Sequence, residues 1–118
     1  MKIEKFEDLI VWQKSQDLAV FVYTLFKENK DFSFVNQITR SSVSISNNIA
    51  EGFERKSNKE YIQFLYIALG SNSETKSMLY LAKRLQFISE IEFENTYSLT
   101  IEIGKMLYSI ISKISEKN

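Results

Sequence analysis

SNKEYIQFLYIALGSNSETKSMLYLAKRL, residues 57–85, decides the fold class. Tyr61, Phe64/Leu65, Ala68, Asn72, Thr75, Leu79, Ala82 and Leu85 recur at three- and four-residue steps. That spacing lines one face of a helix, and the stripe keeps its phase for about seven turns. Ser57 followed by Glu60 fits a capping box, in which the serine side chain satisfies a free N–H of the first turn, so a turn is expected at residues 55–57. Gly70 lies inside the stripe, where glycine costs about 1 kcal/mol against alanine, and predicts close contact with a neighbouring backbone.

Reading outward, Ser89 and Glu92 repeat the capping-box signature and open a further helix. Its seam reads Phe93, Thr96/Tyr97, Thr100, Ile103, Leu107, Ile110/Ile111 and Ile114, and the last residues, Glu116, Lys117 and Asn118, are expected to fray. Upstream, Asp31 or Ser33 can cap a helix whose stripe is Phe34/Val35, Ile38, Ser42, Ile45, Ile49 and Phe53. Its middle, residues 41–48, is rich in Ser, Asn and Val, each of which loses roughly half a kcal/mol against Ala, so packing must hold it helical. The small side chains there predict the tightest helix crossing. The first helix carries Leu9, Trp12, Ala19, Val22, Tyr23 and Phe26 on one face and ends near Asn29, with Leu18, Phe21 and Leu25 as a second stripe beside it. That apolar surface is wider than one seam requires, so this helix is either central or meets another subunit. Proline is absent, and no Pro/Gly/Ser-rich linker divides the chain. Four amphipathic helices with short turns predict an all-α, antiparallel up-down-up-down four-helix bundle, with residues 1–118 forming one domain.

Composition narrows the function classes. There is no His and no Cys, which removes imidazole acid/base chemistry, thiol nucleophiles, disulfides and the usual zinc sites. Carboxylate groups such as Glu51/Glu54 and Glu90/Glu92/Glu94 remain, but Glu90 and Glu92 belong to a helix start, where negative charge is favourable in itself. Carboxylate-bridged di-iron bundles need Glu-x-x-His, which this chain lacks. No glycine cluster resembles a phosphate loop. No catalytic residue, cofactor or metal is expected. Fifteen basic and fifteen acidic residues give zero net charge, so binding to nucleic acid would need a local patch. The opening MKIEKFEDLIVWQK lacks the features of a signal peptide, and no apolar run reaches membrane-spanning length. The expectation is a cytoplasmic protein without membrane contact or small-molecule substrate.

Three groups of residues invite a functional reading. Arg40, Ser44, Asn47 and Glu51 share one face of the second helix, and reflection about residue 57 places Arg40 opposite Glu74, with which an ion pair is expected. This face reads either as a polar layer that fixes helix register or as a ligand or partner site. Arg55, Lys56 and Lys59 gather in a turn, and Lys83 and Arg84 lie at the far end of the following helix. They read as solvated surface or as phosphate contacts, joined into one patch only when copies assemble. Trp12, with Leu18, Phe21 and Leu25, reads as a core or interface anchor rather than a stacking platform for bases. Gly52 reads equally as a left-handed helix cap or a tight-packing position.

Phe6-Glu7-Asp8-Leu9-Ile10-Val11-Trp12-Gln13-Lys14, the run Gln37 to Gly52 with its Asn48-Ile49-Ala50-Glu51-Gly52 element, Glu60-Tyr61, and the run Phe64 to Glu74 together carry a resemblance. They resemble the four-helix-bundle proteins encoded in intervening sequences of 23S ribosomal RNA genes, also labelled a ribosomal-protein family. The resemblance implies a bundle fold without known enzymatic activity. A similar relative, the accessory variability determinant of diversity-generating retroelements, is a homopentamer that partners a reverse transcriptase and nucleic acid. The implication here is a homo-oligomer, with a pentamer as the suggested form. The expected function is a non-enzymatic structural or interaction module. The alternative is an RNA- or DNA-binding accessory, to which the zero net charge is a departure from the basic relative.

Overall fold

The expected caps become helix boundaries. In the computed structural model, which describes residues 2–117, a short 3-10 turn at Phe6–Asp8 leads into four helices: α1 (Ile10–Phe26), α2 (Phe32–Phe53), α3 (Asn58–Arg84) and α4 (Glu90–Glu116). Asp31 caps α2 by accepting from the Phe34 N–H at 3.1 Å. Ser57 caps α3 through the Glu60 N–H at 3.1 Å. The box on α4 is complete: Ser89 Oγ accepts from the Glu92 N–H, and Glu92 Oε1 accepts from the Ser89 N–H at 2.8 Å. The final helix runs through Glu116 with Lys117 as its cap residue, and Asn118 lies outside the described residues.

Connections this short force antiparallel neighbours. Each helix packs on the next, α1 closes the ring against α4, and the α2–α3 pairing is the most extensive. The core is built from Leu18, Val22 and Phe26 of α1, Ile38, Ile45 and Ile49 of α2, Leu65 and Leu79 of α3, and Ile103 and Leu107 of α4. All are sealed from solvent, and the body measures 46 × 22 × 20 Å.

The phase of α1 differs from the expected one. Its inner face is Val11, Ser15, Leu18, Val22 and Phe26, so Leu18 is core rather than part of a second stripe, and Tyr23 points outward. The reason is Ser15, whose hydroxyl donates to the Val11 carbonyl at 2.7 Å. A polar residue satisfied within its own helix can occupy a core position without an external partner.

Glycines 52 and 70 also separate. Gly52 is buried at the α2–α3 crossing, where a Cβ would lie 2.6 Å from Phe64 Cβ. It has no left-handed conformation, so tight packing rather than capping explains it. Gly70 faces outward, and a Cβ added there would meet nothing within 4 Å, so the expected close contact within the bundle is absent. Leu85, placed on the α3 stripe by its spacing, caps the helix at 48% exposure.

The end of α3 uses a residue other than glycine for its left-handed position. Gln86 has φ 61°, its N–H reaches the Lys83 carbonyl at 3.0 Å, and the Phe87 N–H reaches that of Ala82 at 2.9 Å. These two bonds form a Schellman motif. A β-carbon strains this conformation, so Gln86→Gly is expected to raise stability by about 1 kcal/mol. A rise in the urea midpoint at unchanged slope is the readout.

Tyr61 packs edge-on against Phe53, with ring centroids 5.9 Å apart, and burial pushes its hydroxyl up to about 12 from an ordinary 10.0. The unfolded chain ionises this group first as pH rises. Its contribution to stability is therefore complete below about pH 10 and is lost toward pH 12. Tyr61→Phe is expected to make the alkaline decline of the unfolding midpoint shallower than in the unsubstituted protein.

Candidate functional site

Register places Arg40 opposite Glu74, but register along two helices does not fix rotation about them. Both side chains are exposed on the outer rims of α2 and α3, and no ion pair joins them within 4.0 Å. The expected pair is therefore corrected to an open polar groove of 630 Å³, lined by Arg40, Glu74, Asn36, Gln37, Ser44 and Ser71 among others. Shorter side chains take the space beneath it.

Ser41 and Thr75 share a hydrogen bond across the helices at 2.8 Å, and Ser71 donates to Ser44 at 2.9 Å. Asn48 Nδ2 also donates to Ser44 Oγ at 2.9 Å. Hydroxyls bonded directly across two helices require their backbones to approach closely, as the run of small residues at 41–48 predicts. Of the face read from the sequence, only Ser44 belongs to this layer. Asn47 and Glu51 point to solvent, and Glu51 pairs with Arg55 one turn away at 2.7 Å. Ser41, Asn48, Ser71 and Thr75 replace them. Thr75 already stood on the inner stripe of α3, which was the available signal.

The basic residues do not converge. Arg55 lies over the Phe64 ring at 4.7 Å, besides its pair with Glu51. Lys83 sits over Phe93 at 4.5 Å and pairs with Glu90 at 3.3 Å. Lys56, Lys59 and Arg84 are exposed. Lys59 and Lys83 begin and end one helix, about 36 Å apart at 1.5 Å per residue. A single chain thus offers no continuous stripe for a phosphate backbone.

Trp12 is half-buried, with Phe6 edge-on at 5.3 Å, and Leu25 packs against the core. Phe21 stands 50% exposed, as do its neighbours Val20 at 62% and Tyr23 at 56%. Val20 and Tyr23, with Ala19 of α1 and Val43 of α2, border a groove of 330 Å³ between those helices. Among the described residues no cluster of acidic side chains could hold a metal ion, and no helix is long and apolar enough to cross a membrane.

A bundle of this order, with its tight α2–α3 crossing beside an outward polar face, has counterparts among known proteins. Residues 7–109 match the family model of the 23S rRNA-intervening sequence protein. The chain belongs to this family. A crystal structure of a protein of unknown function from the S23 ribosomal protein family of Bacteroides thetaiotaomicron is similar, with 36% identity and a TM-score of 0.82. The alignment covers 86% of this chain and 98% of that one. No curated protein matches. The family assignment and the four-helix fold agree, since the match takes in α1 to α3 and most of α4.

Proposed function

We propose that this member of the intervening-sequence family is a non-catalytic assembly module that packs against further copies of itself. The observation that carries the reading is the outward face of α1, where Val20 and Tyr23, one turn apart, stand more than half exposed and border an apolar groove. Contiguous exposed apolar surface of this kind marks interaction sites in folded proteins. A chain with zero net charge also meets little electrostatic resistance to self-association. The pentameric form implied by the resemblance is one arrangement such a face could support.

Val20→Glu/Tyr23→Glu is the direct test. Both side chains are exposed, so the helical circular dichroism is expected to stay unchanged while the elution volume shifts to that of a smaller particle. Unchanged elution would remove this face from the interface. The nucleic-acid reading has a separate test in structured RNA titrated across salt with Lys56→Ala/Lys59→Ala alongside. Binding that falls with salt and weakens in the variant would replace the assembly module with an RNA-binding accessory.

A further inference from the structure

Three aromatic rings meet where α3 packs on α4. Tyr80 of α3 and Tyr97 of α4 have ring centroids 5.5 Å apart, with their planes at 71°. Phe93, 3% exposed, stacks on Tyr97 at 5.2 Å and lies 5.1 Å from the Tyr80 ring, so a buried neighbour holds both tyrosines in place. The two hydroxyls lie together as well. Hydrogen bonding to Tyr97 pushes the Tyr80 pKa above its ordinary 10.0, so the ring keeps its proton at neutral pH. Tyr80 is 46% exposed and Tyr97 half-buried, which leaves one ring of the pair open to a reagent in solution.

Among the described residues no other tyrosine lies against a second one. Tyr61 meets Phe53, while Tyr23, Tyr66 and Tyr108 stand exposed and join no ring pair. The chain has no cysteine, the side chain that oxidants attack most readily, and its one tryptophan sits on α1 against Phe6. An electron taken from Tyr80 therefore leaves a radical whose neighbouring oxidisable ring is Tyr97.

We propose that Tyr80 and Tyr97 form an oxidative modification site, at which a one-electron oxidant of the peroxidase class joins the two rings as dityrosine and so locks α3 to α4. Each phenol gives up one electron and its hydroxyl proton, which leaves spin on the oxygen and on the carbons ortho to it. The two radicals combine through one such carbon on each ring. The hydrogens on those carbons then move to the oxygens and restore both phenols. In sum, two C–H bonds give way to one C–C bond, and two electrons with two protons pass to hydrogen peroxide, which leaves as two waters. The product carries its hydroxyls side by side, as the pair already does. Coupling therefore needs only a further approach of rings that the fold has brought together, rather than a search by a free chain.

The test is treatment of the purified protein, at low micromolar concentration, with a haem peroxidase and hydrogen peroxide, followed by peptide mapping in a mass spectrometer. The expected product is a single chain lighter by two hydrogen atoms, with the Tyr80 and Tyr97 peptides joined, dityrosine fluorescence, and a higher urea midpoint because the link restricts the unfolded chain. Tyr80→Phe and Tyr97→Phe keep the rings and remove one hydroxyl, so each is expected to retain the helical circular dichroism and lose the link. In the urea-unfolded chain the links are expected to scatter over several tyrosine pairs. No link, links only between chains or among the other tyrosines, an equal dityrosine yield in either variant, or the same set of links in urea would overturn the site. An unchanged urea midpoint of the linked protein would overturn the lock. These readouts do not involve the α1 face, so their failure would leave the assembly reading untouched.

Discussion

Gly52→Ala is expected to destabilise the bundle by about 1–3 kcal/mol, the usual cost of overpacking a well-filled interior. The same change would improve an isolated helix by about 1 kcal/mol, so two opposing effects meet at one position. Geometry decides between them. The added methyl would lie 2.6 Å from Phe64 Cβ and 3.2 Å from Tyr61 Cδ1. A Cβ is fixed to its backbone and cannot swing aside, so α2 and α3 must move apart, carrying the Ser41–Thr75 and Ser44–Ser71 bonds with them. Gly70→Ala is the matched control. Nothing lies within 4 Å of its Cβ, so helix propensity acts alone and stability is expected to rise by up to about 1 kcal/mol. Urea denaturation at one fixed protein concentration reads both, and equal signs for the two variants would contradict the account of the crossing.

Ile45→Ala is expected to cost about 3 kcal/mol, within the range for deleting a large buried aliphatic side chain. Ile45 is fully buried in the stretch of α2 with the weakest intrinsic helix preference, between Ser41, Ser42, Ser46 and Asn48. Alanine is the better helix former by about 0.4 kcal/mol, which offsets little of the lost burial and the cavity left behind. This segment is helical because Ile38, Ile45 and Ile49 anchor it to the core. A loss below the propensity gain would mean that α2 holds its shape by local preference after all.

The helix count, the capped starts of α3 and α4 and the α4 seam were all legible in the sequence, while the cap of α2 was narrowed to Asp31 or Ser33. Phe93, Thr96, Thr100, Ile103, Leu107 and Ile111 are buried where the spacing puts them. Periodicity and capping are local properties, so one chain suffices to read them. What escaped depends on partners across space. Ser15 could occupy the core because its hydroxyl bonds one turn back, and that shifted the phase of α1 and turned Tyr23 outward. Arg40 and Glu74 share a level along the bundle, but their rotation about α2 and α3 leaves them on separate rims. The role of Gly52 rests on Phe64 in the next helix, which no local pattern reveals. Asn72 was visible as a stripe position, yet its bond to the Thr100 carbonyl required the neighbouring face of α4.

Sedimentation equilibrium of the unsubstituted protein, run over a range of concentrations, tests the assembly reading most directly. The account predicts a mass of at least two 13.8 kDa chains that is held on dilution into the low micromolar range. A mass of one chain throughout would contradict it, leaving the exposed face of α1 without a second copy to cover it.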